Sequence, residues 1–454
     1  MLSNCRPPRP HRLARPPHTL RQSIAGSALS LLLLAGVVSP VLAQAPATTP
    51  PPQAAAATTP KLDMTRVVEG DGGVLTLELA AWTLMPPPAG GPKVLLVGAV
   101  HVADRPFYDA MQTMLDQADV VLFEGVKPPG TGQVDPNLSD AVKADITSRR
   151  LKFVLTAAEH FKTEQGHAAA GWEELIAGAG KRWRSVLESC RNDAWGREVR
   201  LETIKQDDGS ALIALRSAGP DGTFAEADGD DLIVKGQPAK PGSAPPAGPP
   251  PNVQQQLAKA LGLTFQLDLM DSSKPNWRSS DLAVDEIQSR LEASGADADW
   301  LFSMLDGKSM TSRLASLFLG FVASSPTMSA SVKMMMVDIL ARADETLAAS
   351  GQMAGLGPIM KVIIEDRNAV VVRDLKAIAA NEPAVKTVAV FYGAGHMSHL
   401  VSELRDLGYT PGDVIWTPAI RVDPKDAGMT PEQAQSMRKM IQGVVEAQQR
   451  REAK

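Results

Sequence analysis

The segment Val94-Leu95-Leu96-Val97-Gly98-Ala99-Val100-His101 is an apolar run that ends in a glycine, two small or apolar residues and a histidine. A second segment, Val388-Ala389-Val390-Phe391-Tyr392-Gly393-Ala394-Gly395-His396, repeats the pattern near the other end of the chain. Short runs rich in β-branched residues predict buried strands, and glycine lets the chain leave a strand end at little steric cost. Because open α/β sheets bind ligands beyond the carboxyl ends of their strands, we expect His101 and His396 to face one cleft.

The residues around the first segment predict a strand–helix–strand unit. An alternating stretch at 74–82 predicts a preceding strand, 106–117 predicts a helix with Pro106 in its first turn, and 120–123 predicts the next strand. Parallel strands joined by a helix end at the same edge of the sheet, so Glu124 should lie near His101. The sequence therefore predicts an α/β protein (α+β overall), in which helices flank a central mixed sheet.

Length and composition place the chain among globular proteins with more than one unit. Its 454 residues exceed what one simple core usually holds. Hydrophobic residues make up 44% and charged residues 21%, both ordinary values for a globular protein. The net charge of −5 and the lack of a basic stripe give no reason to expect nucleic acid as a partner.

The first residues have the features of a secretory signal. Five arginines precede an apolar stretch at 24–38, and Val41-Leu42-Ala43 supplies small residues for cleavage after Ala43. We therefore predict a signal peptide at 1–43 and a periplasmic or secreted mature protein, with an uncleaved membrane anchor as the alternative. Cys190 then has no disulfide partner within the mature chain, and we expect it to be a small buried residue rather than a nucleophile.

Composition also divides the mature chain into units. The Ala/Thr/Pro-rich residues 44–63 and the Pro/Gly/Ala-rich residues 236–252 predict disordered linkers. The main unit is expected in two parts, 64–140 and 253–425, with a C-terminal helix at 426–454. Between the two parts lie residues 141–235, here called the middle segment, which combine helical periodicity, two short strands and an acidic loop. We expect the middle segment to be a small inserted α+β domain.

Two histidines and one glutamate form the candidate metal site. His101, His396 and Glu124 would supply two neutral imidazoles and a carboxylate to a divalent transition metal, leaving positions for water, and the metal would lower the pKa of that water. The alternative is that these polar residues only shape the turns. Arg367 would bind a substrate carboxylate or a developing oxyanion, or else only form an ion pair with Glu124 or Glu365.

The acidic loop of the middle segment is a separate candidate site. Its aspartates alternate with glycines: Asp221, Asp228, Asp230 and Asp231. Oxygen-rich flexible loops are typical of calcium sites, although the spacing of an EF-hand is absent. We predict a calcium ion with a structural role, and the alternative is a solvated turn.

Taken together, these motifs resemble the TraB/GumN/Tiki superfamily over residues 64–135 and 253–420. The resemblance rests on the two Gly-x-x-His motifs at 98–101 and 393–396, on Glu124 after the second strand, and on the pair Arg367-Asn368. It implies a metal-dependent hydrolase of the protease or peptidase type, with Glu124 and Arg367 as catalytic residues. Its ChaN-like relatives imply the alternative of a non-catalytic protein that binds haem or another metal-containing ligand. Ala99 stands where the family often has threonine, so that hydroxyl is not part of the prediction.

The middle segment resembles the soluble part of the major (G-type) pseudopilin of type II secretion. The matching elements are Thr163-Glu164-Gln165-Gly166, Asp193-Ala194-Trp195-Gly196 and Ser217-Ala218-Gly219-Pro220-Asp221-Gly222. Ala194 departs from the family's proline. The resemblance implies that Asp221, Asp230 and Asp231 hold calcium, and it adds a third functional class, an adaptor with a secretion-system or envelope partner. The apolar amino-terminal helix that drives pilus assembly is missing, so we do not expect polymerisation.

Overall fold

The structure is a computed structural model. It describes residues 62–132, 134–179, 183–205, 211–224, 229–236, 253–296, 318–342 and 357–452. The predicted signal peptide lies outside the described residues, as does most of both predicted linkers. No helix in the described ranges is long and apolar enough to cross a membrane.

The strands and helices of the described ranges follow one another along the whole chain. The strands are β1 (Thr65–Glu69), β2 (Leu75–Met85), β3 (Lys93–Ala99), β4 (Val102–Ala103), β5 (Val120–Phe123), β6 (Arg200–Lys205), β7 (Ala211–Ser217), β8 (Leu232–Lys235), β9 (Thr264–Phe265), β10 (Trp277–Ser279), β11 (Thr387–Gly393) and β12 (Thr410–Val422). The helices are α1 (Arg105–Leu115), α2 (Asp140–Gln165), α3 (Trp172–Gly178), α4 (Arg184–Ser189), α5 (Val253–Leu261), α6 (Gln266–Leu269), α7 (Val284–Ala293), α8 (Pro326–Ala341), α9 (Gly357–Met360), α10 (Arg367–Asn381), α11 (Met397–Asp406) and α12 (Pro431–Glu452).

Among the described residues, seven strands form a central mixed sheet. Four parallel strands lie in the order β3-β11-β5-β10. β2 pairs antiparallel with β3, and β1 pairs antiparallel with the first half of β2. β12 runs antiparallel along the other edge of β2. The protein is thus a mixed α/β fold, as the sequence predicted.

Helices cover both faces of this sheet, which is why its central strands are apolar throughout. Along β11, Ala389 and Phe391 pack into the core that contains α1, α5 and α8. Val388, Val390 and Tyr392 alternate with them and pack against α10 and α11 on the other face. Successive side chains of a strand point to opposite faces, so an uninterrupted apolar run is what a covered strand requires.

The first and last motif strands are neighbours. β11 pairs with β3 over its whole length, so that Tyr392 lies beside Gly98 and Gly393 beside Ala99. The two Gly-x-x-His motifs therefore leave the same edge of the sheet side by side. The sequence predicted β3 and β5 as a parallel pair. They are parallel, but β11 lies between them, because a strand from a distant part of the chain inserts at that position.

Two further strands differ from the sequence prediction. β10 was not predicted, since it is only three residues long and lies in a polar stretch. The last strand was predicted over 414–417, but β12 extends from Thr410 to Val422. It keeps its pairing with β2 through two register shifts, between Pro411 and Val414 and between Pro418 and Ile420.

The middle segment has its own core. β6, β7 and β8 form an antiparallel three-stranded sheet, and α2 packs against β7 and β8. The buried residues between them form a separate hydrophobic cluster that includes Phe161, Leu215 and Cys190. Cys190 is fully buried, as expected, and burial raises the pKa of its thiol to about 12.

Candidate functional site

Arg367 is the centre of a buried polar cluster at the carboxyl edge of the parallel strands. A π-helical turn, Lys361–Asp366, runs directly into α10 and carries Arg367 into the protein, where the side chain is almost fully buried. Single π-helical turns within helices are frequent at functional sites. The residue is charged in this position because two carboxylates surround it. Although burial acts to lower the pKa of Arg367, Asp281 and Glu124 raise it well above its ordinary value.

The main partner of Arg367 is Asp281, just beyond the end of β10. The guanidinium donates Nε–H to Oδ1 at 2.8 Å and an Nη2–H to Oδ2 at 2.7 Å. Such a two-point contact fixes the plane of the guanidinium. Asp281 is itself held, because Oδ1 also accepts the N–H of Leu282 at 2.8 Å and Oδ2 that of Gly125 at 3.0 Å.

Glu124, which follows β5, is the second carboxylate of the cluster. Its Oε1 accepts an Nη2–H of Arg367 at 2.8 Å, and its Oε2 accepts the N–H of Gly393 at 2.7 Å. Burial acts to raise the pKa of this carboxyl, and the positive charge of Arg367 is the largest opposing influence. The net result is a pKa of about 2, so Glu124 is ionised at neutral pH.

The glycine of the second motif is required beside this carboxylate. A Cβ atom on Gly393 would lie 3.1 Å from Glu124 Oε2. This is closer than most Cβ contacts, and a side chain would push the carboxylate off the backbone N–H that it accepts. The Gly-x-x-His pattern therefore has a physical reason here: the glycine gives Glu124 access to a backbone donor at the end of β11.

His396 completes the buried cluster and is locked in one tautomer. It ends the short 3-10 turn Ala394–His396 and is fully buried. Its Nδ1 donates to Oδ1 of Asn368 at 2.8 Å, and its Nε2 accepts Nη1–H of Arg367 at 3.3 Å. This assignment follows from Asn368 Nδ2, which donates to the backbone carbonyl of His396 at 3.0 Å. Burial is the main reason why the pKa of His396 is lowered to about 4, so the ring is neutral at neutral pH.

His101 lies at the partly exposed rim of the same cluster. It follows β3, and its backbone carbonyl accepts the N–H of Gln266 at 2.8 Å. Its charge acts on both Glu124 and His396, which places the imidazole close to both groups. The structure thus brings together four residues that the sequence singled out: His101, Glu124, Arg367 and His396.

Other candidates from the sequence have different surroundings. The carboxylate of Asp366 turns away from the cluster, to Lys361 at 2.7 Å and Arg290 at 3.1 Å. His399 contacts Asn368 Nδ2 through Nδ1 at 3.3 Å and so lies one residue removed from the cluster. Tyr392 packs its ring against that of His396 and donates its hydroxyl to the carbonyl of Ser280. It is therefore a packing residue, as expected.

Asp281 is the one cluster residue that the sequence did not reveal. It follows Trp277-Arg278-Ser279-Ser280, which is too short and too polar for hydrophobic periodicity to identify as a strand. The available signal was chemical: a buried arginine needs a carboxylate partner, and one glutamate does not use all of its donors.

The donor chemistry of His101, His396 and Glu124 suits a transition metal, but their arrangement here does not. The lone pair of His396 Nε2 faces Arg367 Nη1, and both oxygens of Glu124 already accept N–H groups. The guanidinium thus lies where a metal bridging His396 and Glu124 would lie. In the part of the chain that the structure describes, no group of three His, Cys, Asp or Glu side chains is arranged to hold a metal ion.

The predicted calcium loop lies in the middle segment, apart from this cluster. Asp221 accepts the N–H and the hydroxyl of Thr223, each at 2.7 Å, and donates its own N–H to Asp230 Oδ2 at 3.0 Å. Asp231 Oδ2 accepts Nε–H of Arg216 at 2.7 Å. Asp228 lies outside the described residues. Asp221 and Asp230 are therefore close to each other, whereas Asp231 forms an ion pair.

Comparisons of the chain with protein-family models, with curated proteins and with solved structures find no match.

Proposed function

We propose that the chain is a secreted hydrolase of the TraB/GumN/Tiki type that acts on peptides at the edge where His101, Glu124, Arg367 and His396 meet. The observation that carries this proposal is the buried cation of Arg367, bonded at once to Glu124 and His396 beside the partly exposed His101. Holding a guanidinium and two carboxylates out of water is costly. Ionisable groups that are buried and strongly perturbed in this way are typical of active sites.

The roles follow from protonation and exposure. Glu124 is ionised, and a carboxylate with a pKa of about 2 is a weak base. It is suited to orienting the neighbouring His101, which is the exposed group that would take a proton from water. The four contacts described above use four of the five N–H donors of Arg367. The remaining Nη1–H is suited to stabilising a developing oxyanion.

Metal dependence stays a prediction of the family resemblance, and no step is derived through a metal. It requires Arg367 Nη1 to leave His396 Nε2 first. The same contact favours the hydrolase over the haem-binding alternative, because an axial haem ligand needs a free imidazole nitrogen and both nitrogens of His396 are bonded within the protein.

Hydrolysis of a peptide library, followed by mass spectrometry, tests the proposal. Glu124→Gln should lower kcat/KM by at least about a hundredfold, as loss of a residue that orients the general base would. The matched control is Glu365→Gln, an exposed glutamate two residues before Arg367, which should keep full activity. Each protein is assayed after chelation and again with Mn²⁺, Co²⁺ or Zn²⁺, which separates metal-free from metal-dependent hydrolysis. Equal activity of both variants would overturn the proposal.

We further propose that the middle segment is an inserted domain of the pseudopilin type that holds a structural calcium ion. What supports this is its separate core and its long helix packed on a three-stranded antiparallel sheet. Asp221 and Asp230 would then supply oxygens, and Asp231 would have to exchange Arg216 for the ion. Ligands that bind only the folded state raise its stability. Calcium should therefore raise the melting temperature of the mature protein, and Asp230→Asn should remove that rise.

A further inference from the structure

A cavity of about 810 Å³ lies where the middle segment meets the central sheet. One wall comes from the loop after β5 and from β10, both in the main unit. The opposite wall comes from α2, α4 and the turn at 193–197 of the middle segment. Because the two units build it together, neither has this cavity by itself.

The charged side chains of the wall are mostly cationic. The basic ones are Lys127, Lys143, Arg150, Arg197 and Arg278, and the acidic ones are Glu188 and Asp193. Asp193 already accepts the hydroxyl of Ser217 at 2.6 Å and two backbone N–H groups. Glu382 neutralises Arg278 through two contacts of 2.6 and 2.8 Å. The wall that remains therefore carries a positive charge.

Two arginines of the wall have no carboxylate partner among the described residues. Arg150 is 4% exposed and donates only to backbone carbonyls: those of Gly130 at 3.0 Å, Gly132 at 3.2 Å and Asn192. Arg197 donates to the carbonyls of Gly219 and Pro220. Carbonyl oxygens satisfy hydrogen bonds but do not cancel a charge, so the field of both guanidinium groups extends into the cavity.

Two further donors of the wall lack an acceptor. The indole N–H of Trp277 is buried and has no hydrogen-bond partner, and the side chain is only 4% exposed. The ammonium of Lys127 donates no hydrogen bond to any described residue. Asp281, Asp374 and Glu286 act on it only through space, and burial lowers its pKa. Buried donors without partners are costly. Both unsatisfied groups are donors, so what satisfies them must be an acceptor.

We propose that this cavity binds a small organic anion bearing a carboxylate or phosphate group, which accepts hydrogen bonds from Lys127 and from the indole of Trp277. Apolar parts of the ligand would contact Val134, Pro136 and Val186, which also line the cavity. The anion would lie beside the candidate active site, since Lys127 is three residues after Glu124 and Ser279 is two residues before Asp281. The proposal concerns binding and does not depend on hydrolysis.

The test is binding to the mature full-length protein, measured by calorimetry and by the indole N–H resonances of ¹⁵N-labelled protein. The probes are inorganic phosphate, benzoate and, as an uncharged control, benzamide. Trp277→Phe identifies the Trp277 signal, which an acceptor should move downfield. We expect phosphate or benzoate to bind and to shift that signal, and benzamide to do neither. Which of the two anions binds identifies the class of the ligand.

Charge variants test which residues form the site. Lys127→Met should weaken binding at least about tenfold, the usual loss when one charge-assisted hydrogen bond is removed. The exposed Lys376→Met on α10 is the control and should bind normally. Lys143→Met, at the other wall, gives a second reading if Lys127→Met does not fold. The proposal is overturned if neither anion binds at millimolar concentration, if benzamide binds as well as benzoate does, or if the cavity variants bind like the control.

Discussion

Asp281 determines where the guanidinium of Arg367 lies, because it provides two of its four contacts. Asp281→Asn keeps the shape of the side chain but places an NH₂ group opposite a guanidinium N–H. It should lower the free energy of unfolding by about 3–5 kcal/mol, as expected when one partner of a buried ion pair is removed. Asp366→Asn is the control and should cost about 1 kcal/mol or less, because its partners Lys361 and Arg290 are exposed. Urea unfolding of both variants measures the difference, and equal losses would contradict the role given to Asp281.

The pKa values of the cluster predict how stability depends on pH. His396 has a pKa of about 4 when folded and an ordinary value of 6.5. Between these values the unfolded chain binds more protons than the folded one, so stability decreases as pH falls from 6.5 towards 4. Glu124 has the same sign between pH 4.5 and 2. Its stabilisation is fully present above pH 4.5 and is lost as pH falls towards 2.

Urea midpoints measured from pH 7 to pH 4 test this dependence. The wild-type midpoint should fall steadily through this range. His396→Gln should give a shallower slope whatever its stability at pH 7, since the titrating ring is gone. His160→Gln, which changes an exposed histidine of α2, should leave the wild-type slope unchanged. A His396→Gln slope as steep as that of the wild type would show that this ring does not set the pH dependence.

At the scale of elements, α2 joins the middle segment to the main unit through the loop after β5. Gly130 in that loop has φ +78°, and a Cβ atom there would lie 2.7 Å from both the backbone N of Arg150 and the backbone O of Ile146. Only glycine allows so close an approach of loop and helix. Arg149 adds an ion pair with Asp285 at 3.1 Å, next to the three carbonyl contacts of Arg150.

Two glycines of similar conformation allow a matched test of this contact. Gly166 ends α2 with φ +79° and has nothing within 4 Å of the position of its Cβ. Gly166→Ala should cost about 1–2 kcal/mol, the conformational penalty alone. Gly130→Ala should cost clearly more, because the backbone of loop and helix must separate. The free energies of unfolding of the two variants give the comparison, and equal values would show that the contact contributes nothing.

How far the sequence predicts each element depends on whether the information is local. The apolar runs at 94–97 and 388–392 identify β3 and β11, since strands buried on both faces need such runs. The position of β11 between β3 and β5 is a long-range pairing that no local pattern encodes. β10 has three residues, one of them Arg278, and so escaped prediction together with Asp281, which follows it. Glu124 and His396 could be found because each directly follows a predictable strand.

At the scale of the whole molecule, the sheet edge, the buried arginine cluster and the middle segment meet in one region. β5 leads to Glu124, to Lys127 and to the loop that contacts α2, while β10 lines the cavity and leads to Asp281. Because the same two strands serve the candidate active site and the cavity, a ligand in the cavity would lie next to the residues proposed for hydrolysis. The inserted segment thus completes a wall of this region.

The claim that this edge is a hydrolytic site is tested most directly by the rate of peptide hydrolysis of His101→Ala beside that of His160→Ala. Both variants remove one imidazole, but His101 lies at the cluster and His160 on the exposed surface of the middle segment. The account predicts that His101→Ala loses at least about a hundredfold in kcat/KM, the usual contribution of a general base, while His160→Ala keeps the wild-type value and both keep the wild-type melting temperature within a few degrees. Undiminished hydrolysis by His101→Ala would contradict the account.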